Sequence, residues 1–342
     1  MNMATSKPTH HVAAADEGWL ALRLEDPIEP SLPIIDAHHH LWDFSSPPYL
    51  GADFAADATG THNIRASIYV ECGMKFFMDG PVELQPVGET SFVVAEAEKV
   101  PSDRQVAAGI VGMADLTLGD RVDHVLDAHM DAGKGRFRGI RVRAAWDADP
   151  EASYGASGVQ RGVLLRREFQ DGARRLTSKN LTLDIWAFHT QLSEVSQFAD
   201  ACPNTTIVLD HMGGPLGVGT YQGKRQEVFD AWATGIRELA RRRNIYVKLG
   251  GFGVPRLGWH FSKEALPPSS DELAALWGPY VETCLESFGP HRSMFESNFP
   301  VDKAICSMNV LLNAYKKMVA ACSAAERSAV FFETAATVYR VT

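Results

Sequence analysis

The feature that most restricts the fold of this 342-residue chain is an alternation that runs from residue 32 to the end. Short apolar runs rich in β-branched residues take turns with longer stretches of helical period. The runs fall at 33–38, 66–71, 106–111, 139–143, 181–186, 206–210, 245–249 and 293–297. Several are nearly continuous in apolar residues, as expected of parallel strands covered by helices on the outside. Between them, Val122, Val125, Leu126 and Met130 mark one helical face. Leu192, Val195, Phe198, Ala199 and Cys202 mark a second, and Met308, Leu311, Leu312, Tyr315 and Val319 a third. Ser323 followed by Glu326 predicts a capping box opening a last helix that runs to about Tyr339. Eight strand–helix units predict an α/β fold of the (β/α)8 TIM-barrel type over 32–342, behind an N-terminal extension at 1–31. A doubly wound dinucleotide-binding sheet is disfavoured, because no G-x-G-x-x-G follows an early strand.

A barrel of this kind carries its reacting groups where strands end and loops begin. Long loops are expected near 43–63, 72–90, 144–160 and 250–270. They hold Trp42, Phe76, Phe77, Trp146, Trp259 and Phe261, which can roof a pocket or simply cover the rim.

Charge narrows the partners. The formal net charge is −9, which argues against nucleic acid or an anionic membrane, since both select basic patches. Arg166-Arg167 and Arg241-Arg242-Arg243 lie in helix-like stretches and read as solvated faces. The five cysteines are scattered, with no C-x-x-C pair, so neither a disulfide framework nor a cysteine zinc site is expected. Residues 1–31 contain no apolar core of signal-peptide type, and nowhere do the ~20 apolar residues of a membrane span occur. The expectation is a cytoplasmic protein acting on a small molecule, with assembly into a homo-oligomer left open.

Four segments carry chemistry. In Ile34-Ile35-Asp36-Ala37-His38-His39-His40, the strand period of two puts His38 and His40 on one face and His39 on the other. Two imidazoles there can bind one metal ion or polarise one carbonyl oxygen; the plainer reading is a histidine cluster in a turn. Ile207-Val208-Leu209-Asp210-His211-Met212-Gly213-Gly214-Pro215 ends an apolar strand in a polar pair, followed by glycines that allow close approach of a ligand. Met294-Phe295-Glu296-Ser297-Asn298-Phe299-Pro300-Val301-Asp302 places acids and an amide at the eighth strand's end. His189 follows the fifth strand, as a site residue or as a satisfied polar group.

Taken together, the D-x-H-x-H start, the L-D-H-x-G-G-P turn, the S-N-F-P-V-D segment and the T-A-A-x-V-Y-R end resemble the amidohydrolase superfamily. The resemblance covers about residues 32–340 and is to the amidohydrolase-2 branch, which contains sugar-lactone hydrolases and 2-pyrone-4,6-dicarboxylate lactonase. It implies a hydrolase that opens a lactone. It implies further that the family's first-strand histidines fall on His38 and His40, and its fifth- and sixth-strand histidines on His189 and His211. The acid that usually stands in an S-D-W-P segment is here Asn298, and an amide cannot take a proton at neutral pH. Either Asp302 or Glu296 substitutes, with Asp302 preferred, or the mechanism differs. The fourth strand offers Arg141 and Arg143 and no lysine for a carbamate bridge, so a mononuclear or metal-free site is expected.

The resulting reading is attack on a small, carboxylated lactone by an activated water, with His38, His40 and His211 polarising the carbonyl. One zinc would be held by His38, His40 and His189. Arg141 and Arg143 would hold a substrate carboxylate, unless an internal acid such as Glu71 or Asp184 pairs with one of them. Glu71, Trp42 and His189 complete the expected binding surface. A metal-dependent decarboxylase of the same branch and a non-catalytic binding barrel are the alternatives.

Overall fold

The structure is a computed structural model and describes residues 15–101, 105–153, 159–259, 261 and 264–342. The first 14 residues of the extension, and parts of the loops expected near 144–160 and 250–270, lie outside the described residues. Eight parallel strands follow one another in chain order: β1 (Pro33–His39), β2 (Asn63–Val70), β3 (Gln105–Gly112), β4 (Phe137–Arg143), β5 (Thr182–Trp186), β6 (Ile207–Leu209), β7 (Ile245–Leu249) and β8 (Ser293–Phe295). Just past β8 the chain returns to β1. Asn298 N donates to His38 O at 2.8 Å and His40 N to Phe299 O at 2.7 Å, which brings the sheet round into a TIM barrel. A helix follows each strand, from Gly51–Asp57 after β1 to Met308–Met318 after β8.

Alternate strand residues go to two different cores, as the period of two requires. Leu183, Ile185, Leu209, Val247 and Phe295 face outward and join the helices in one buried cluster. Ile35, Ile68, Val111, Val208 and Met294 form a second cluster with Ala335, Val338, Tyr339 and Val341. Gln105, the first residue of β3, donates through Nε2 to Thr342 O at 2.9 Å. The chain's C-terminal end therefore stops the floor of the barrel, at the strands' N-terminal ends. Ser323 caps the start of this last segment with the reciprocal Glu326 contact that the sequence predicts. The helix then passes through one π turn, Ala329–Glu333, before Thr334–Tyr339. Among the described residues no helix is long and apolar enough to cross a membrane.

Residues 16–31 run along the outside of the barrel. Asn313 on the last barrel helix accepts from Ile28 N at 2.8 Å and donates to Asp26 O at 2.9 Å. Lys316 Nζ donates to the carbonyls of Ile28 and Glu29 at 2.9 Å each.

Candidate active site

At the C-terminal end of β1 the two expected histidines meet. His38 Nε2 and His40 Nε2 are 3.3 Å apart, with the rings nearly perpendicular. His39 turns to the other face, stacks on Phe54 with centroids 4.0 Å apart, and contacts Ser67 Oγ at 3.0 Å through Nε2. All three are buried.

His211 and Glu296 complete the centre. His211 stands two residues past the end of β6 with φ 52°, a left-handed conformation that costs energy for a residue with a Cβ. That turn puts its ring 4.7 Å from that of His38 and edge-on to Trp186. Glu296 Oε1 lies 2.8 Å from His211 Nδ1 and its Oε2 lies 3.0 Å from His38 Nδ1. The loop after β7, Leu249-Gly250-Gly251-Phe252-Gly253, makes the room. A Cβ on Gly250 would stand 2.2 Å from Glu296 Cγ, and one on Gly251 2.2 Å from His211 Nδ1; Gly251 also has φ +72°. These two glycines are spaces for functional side chains.

Partners fix the tautomers. His40 Nδ1 faces Val70 O at 2.8 Å, an acceptor only, so it carries the hydrogen and Nε2 keeps a lone pair. His211 Nδ1 donates to Glu296 by the same argument. His38 Nδ1 has Glu296 at 3.0 Å and the Lys248 ammonium at 3.4 Å, and the closer carboxylate favours Nδ1–H. Two bare Nε2 atoms then face each other across 3.3 Å, which is repulsive unless a cation lies between them. Two nitrogens bound tetrahedrally at ~2.0–2.1 Å from one zinc would stand about 3.3 Å apart, so the pair fits such an ion. His38, His211 and Glu296 also form a group with ligand atoms within 4.8 Å of one another. Glu296 Oε1 is taken by His211 Nδ1, whereas Oε2, close to His38 Nδ1, has no hydrogen-bond partner among the described residues, so the carboxylate orients the His211 ring and keeps one oxygen open beside His38. Burial would raise the Glu296 carboxyl, but His211 and then His38 override it and hold it at about 2.

Asn298 and Asp302 form the other half of the eighth-strand segment. Asn298 has φ 53°, and Asp302 N donates to Asn298 O at 3.2 Å, so the segment folds into a turn rather than continuing the strand. Asn298 Nδ2 donates to Asp302 Oδ1 at 2.7 Å. Asp302 Oδ2 is buried with no hydrogen-bond partner among the described residues. Burial raises this carboxyl to about 7, even though Gly253 N and Asn298 hydrogen-bond to it. An aspartate at 298 would have set a second carboxylate against the first. The amide binds it instead.

Three expectations need correcting. Arg141 and Arg143 do share a face, but Glu71 stands between them. Arg141 Nε reaches Glu71 Oε1 at 2.8 Å, and Arg143 takes both carboxylate oxygens at 2.9 and 2.7 Å. Arg141 Nη2 also donates to Glu71 O. The internal acid thus serves both arginines, and no bare pair awaits a substrate carboxylate. Glu71 itself is fully buried and, against the effect of burial, held ionised by Arg141 and Arg143, so it is a structural partner rather than a binding surface. His189 does not join the imidazole centre: its Nδ1 accepts from Leu216 N at 3.3 Å and its ring stands edge-on to Tyr221. Trp42 does lie at the site, buried and stacked parallel to His40 at 6.1 Å.

Lys248 was not singled out from the sequence, and Asp36, Asp184 and Asp210 were named without the roles they have in the centre. Lys248 on β7 is fully buried, 2.6 Å from Asp184 Oδ2 and 3.0 Å from Asp210 Oδ1. Burial would lower this amine; Asp184 and then Asp210 reverse that and raise it. Asp36 accepts from Ser297 N at 2.8 Å and Ser297 Oγ at 2.5 Å, tying β1 to the end of β8. The available signal was a charged residue at an inward position of a strand otherwise apolar: Asp36, Asp184 and Lys248 each fit it.

The family model for Amidohydrolase (Amidohydro_2) matches residues 35–341. The protein y4mH of Sinorhizobium fredii is 30% identical, over 90% of this chain and 98% of its own. The L-fucono-1,5-lactonase of Burkholderia multivorans is 25% identical, over 89% of this chain and 95% of its own. Among solved structures, an amidohydrolase from Burkholderia multivorans with bound zinc superposes with a TM-score of 0.67 at 24% identity, covering 90% of this chain and 99% of that one. Barrel, motifs and family model agree: the chain belongs to the amidohydrolase-2 family.

Proposed function

We propose that the protein hydrolyses a small, uncharged lactone of the sugar-acid type. The observation that carries this is the set of three buried imidazoles, His38, His40 and His211, each with Nδ1 facing an oxygen acceptor, beside a carboxyl with one unpartnered oxygen. His38 and His40 would hold one divalent ion through their Nε2 atoms, with His211 close by, and we take zinc as the ion that suits neutral imidazole nitrogens. When bound, such an ion polarises a carbonyl and acidifies a water.

The chain's own groups supply the rest. Asp302, buried and tuned to about 7, accepts the proton of the attacking water and returns it to the leaving ring oxygen. Asn298 holds that carboxyl through its amide. Glu296 is a poor base, because two imidazoles engage it and hold it ionised; it keeps the rings in their tautomers. Trp42 and Trp186 wall the centre against solvent. The Burkholderia lactonase, similar over nearly its full length, supports a sugar lactone as substrate. The Glu71 ion pairs support a ring without a carboxylate.

A panel of lactones, with ring opening followed by proton release, tests this. Turnover of neutral sugar lactones is expected, with Arg143→Met changing KM equally for a carboxylated lactone and its methyl ester. Strict dependence on a substrate carboxylate, with an Arg143→Met loss of roughly tenfold or more on the acid alone, would overturn the substrate class. No ring opening on any lactone would overturn the reaction.

A further inference from the structure

The C-terminal T-A-A-x-V-Y-R segment takes no part in the reaction above, yet it reaches the centre. Its helix, Thr334–Tyr339, stops the barrel floor, and Tyr339 is fully buried there. The Tyr339 hydroxyl donates to Asp184 Oδ2 at 2.6 Å. The same oxygen receives the Lys248 ammonium at 2.6 Å, and that ammonium lies 3.0 Å from Asp210 Oδ1. Asp210 Oδ1 in turn stands 3.6 Å from His38 Nδ1, and Asp210 is joined directly to His211 with its left-handed backbone. Asp184, Asp210 and Lys248 have no exposed surface.

In such an interior a carboxylate stays where its cation is, since no water can replace it. The ammonium bridges Asp184 and Asp210, so it sits where Asp184 holds it. Asp184 is located by Tyr339 and by Thr182 Oγ1 at 3.2 Å. Displacing Asp184 therefore moves Lys248, Asp210 and the two imidazoles that Asp210 flanks.

We propose that Tyr339 and Lys248 are positioning residues for the imidazole centre, acting through the buried chain Tyr339–Asp184–Lys248–Asp210. This rests on the reading of His38 and His211 as reacting groups, but its test does not need turnover. In Tyr339→Phe only the hydroxyl is lost and the ring still stops the floor. Val338→Ala, on the same helix and turned to the same apolar cluster, weakens the floor and leaves the chain of contacts whole. The measurement is histidine-selective ¹⁵N NMR of the holoprotein, with signals assigned by single His→Gln variants. His62 and His129, which bind Lys316 and Thr90 away from the centre, serve as references.

Tyr339→Phe should shift or broaden the His38 and His211 ring signals and leave the references unmoved. Val338→Ala should lower Tm without moving any of the four. Where a lactone is turned over, Tyr339→Phe should lower kcat by roughly tenfold or more with KM within about twofold. Unmoved His38 and His211 signals in Tyr339→Phe, or equal shifts in Val338→Ala, would overturn the proposal. Absence of lactone turnover with shifted ring signals would overturn the proposed reaction alone.

Discussion

Asp302→Asn is the perturbation whose consequences can be worked out furthest. The carboxyl titrates near 7 in the folded protein, against about 3.9 in an unfolded chain. Between these values the folded state binds a proton that the unfolded state has lost, so stability falls as pH rises through the window. Below about pH 4 both states are protonated and nothing is lost. Above pH 7 both are ionised, and the fold carries the full cost of a buried carboxylate. Asparagine has no such titration, and its oxygen can still accept from Asn298.

From pH 5 to pH 7 the folded pKa leaves two units of difference still to develop, or about 2–3 kcal/mol at 1.36 kcal/mol per unit. The variant should therefore gain that much on the unmodified protein between pH 5 and pH 8, read as urea midpoints at constant m. Asp36, also raised to about 7 by burial, titrates in both proteins and cancels in the difference. If Asp302 is the base, kcat should fall by about 10²–10⁴ in the variant, and the unmodified enzyme's rate should climb through about pH 7 to a plateau. Stabilities that run parallel from pH 5 to pH 8, or a variant with unchanged kcat, would refute the assignment.

His38→Ala and His40→Ala should each lower kcat by roughly 10²-fold or more, whereas His39→Ala should lower Tm with kcat nearly intact; loss of activity in folded His39→Ala would reverse the assigned faces. Gly251→Ala places a methyl within 2.2 Å of His211 Nδ1 at φ +72°, and activity should collapse while far-UV circular dichroism stays that of a folded barrel. Wild-type kcat in that variant would mean that the His211 ring is free to move aside.

The barrel was legible because its strands are written in the alternation of apolar and helical segments. The core of each predicted run is a strand in the structure, and Ser323 with Glu326 caps the last segment. The facing of His38 and His40 was legible for the same reason, since parity at the end of one strand needs no other element. What parity cannot tell is which neighbour fills the space. Arg141 and Arg143 face inward as their spacing requires, but whether they meet a substrate or Glu71 depends on where β2 ends, on the far side of β3 from β4. His189 was placed by resemblance, and the loop after β5 gave it Leu216 and Tyr221 instead. Lys248 went unnoticed because one lysine in Ile-Tyr-Val-Lys-Leu looks like a strand's exposed face until Asp184 and Asp210 are known to lie opposite it.

The most direct test of the account is the fate of solvent oxygen. A neutral sugar lactone turned over in H₂¹⁸O should give a hydroxy acid carrying one ¹⁸O in its new carboxylate, with no CO₂ released and no label above background in His38→Ala. Release of CO₂ from an aromatic carboxylate by the same residues, with no labelled hydroxy acid from any lactone, would contradict it.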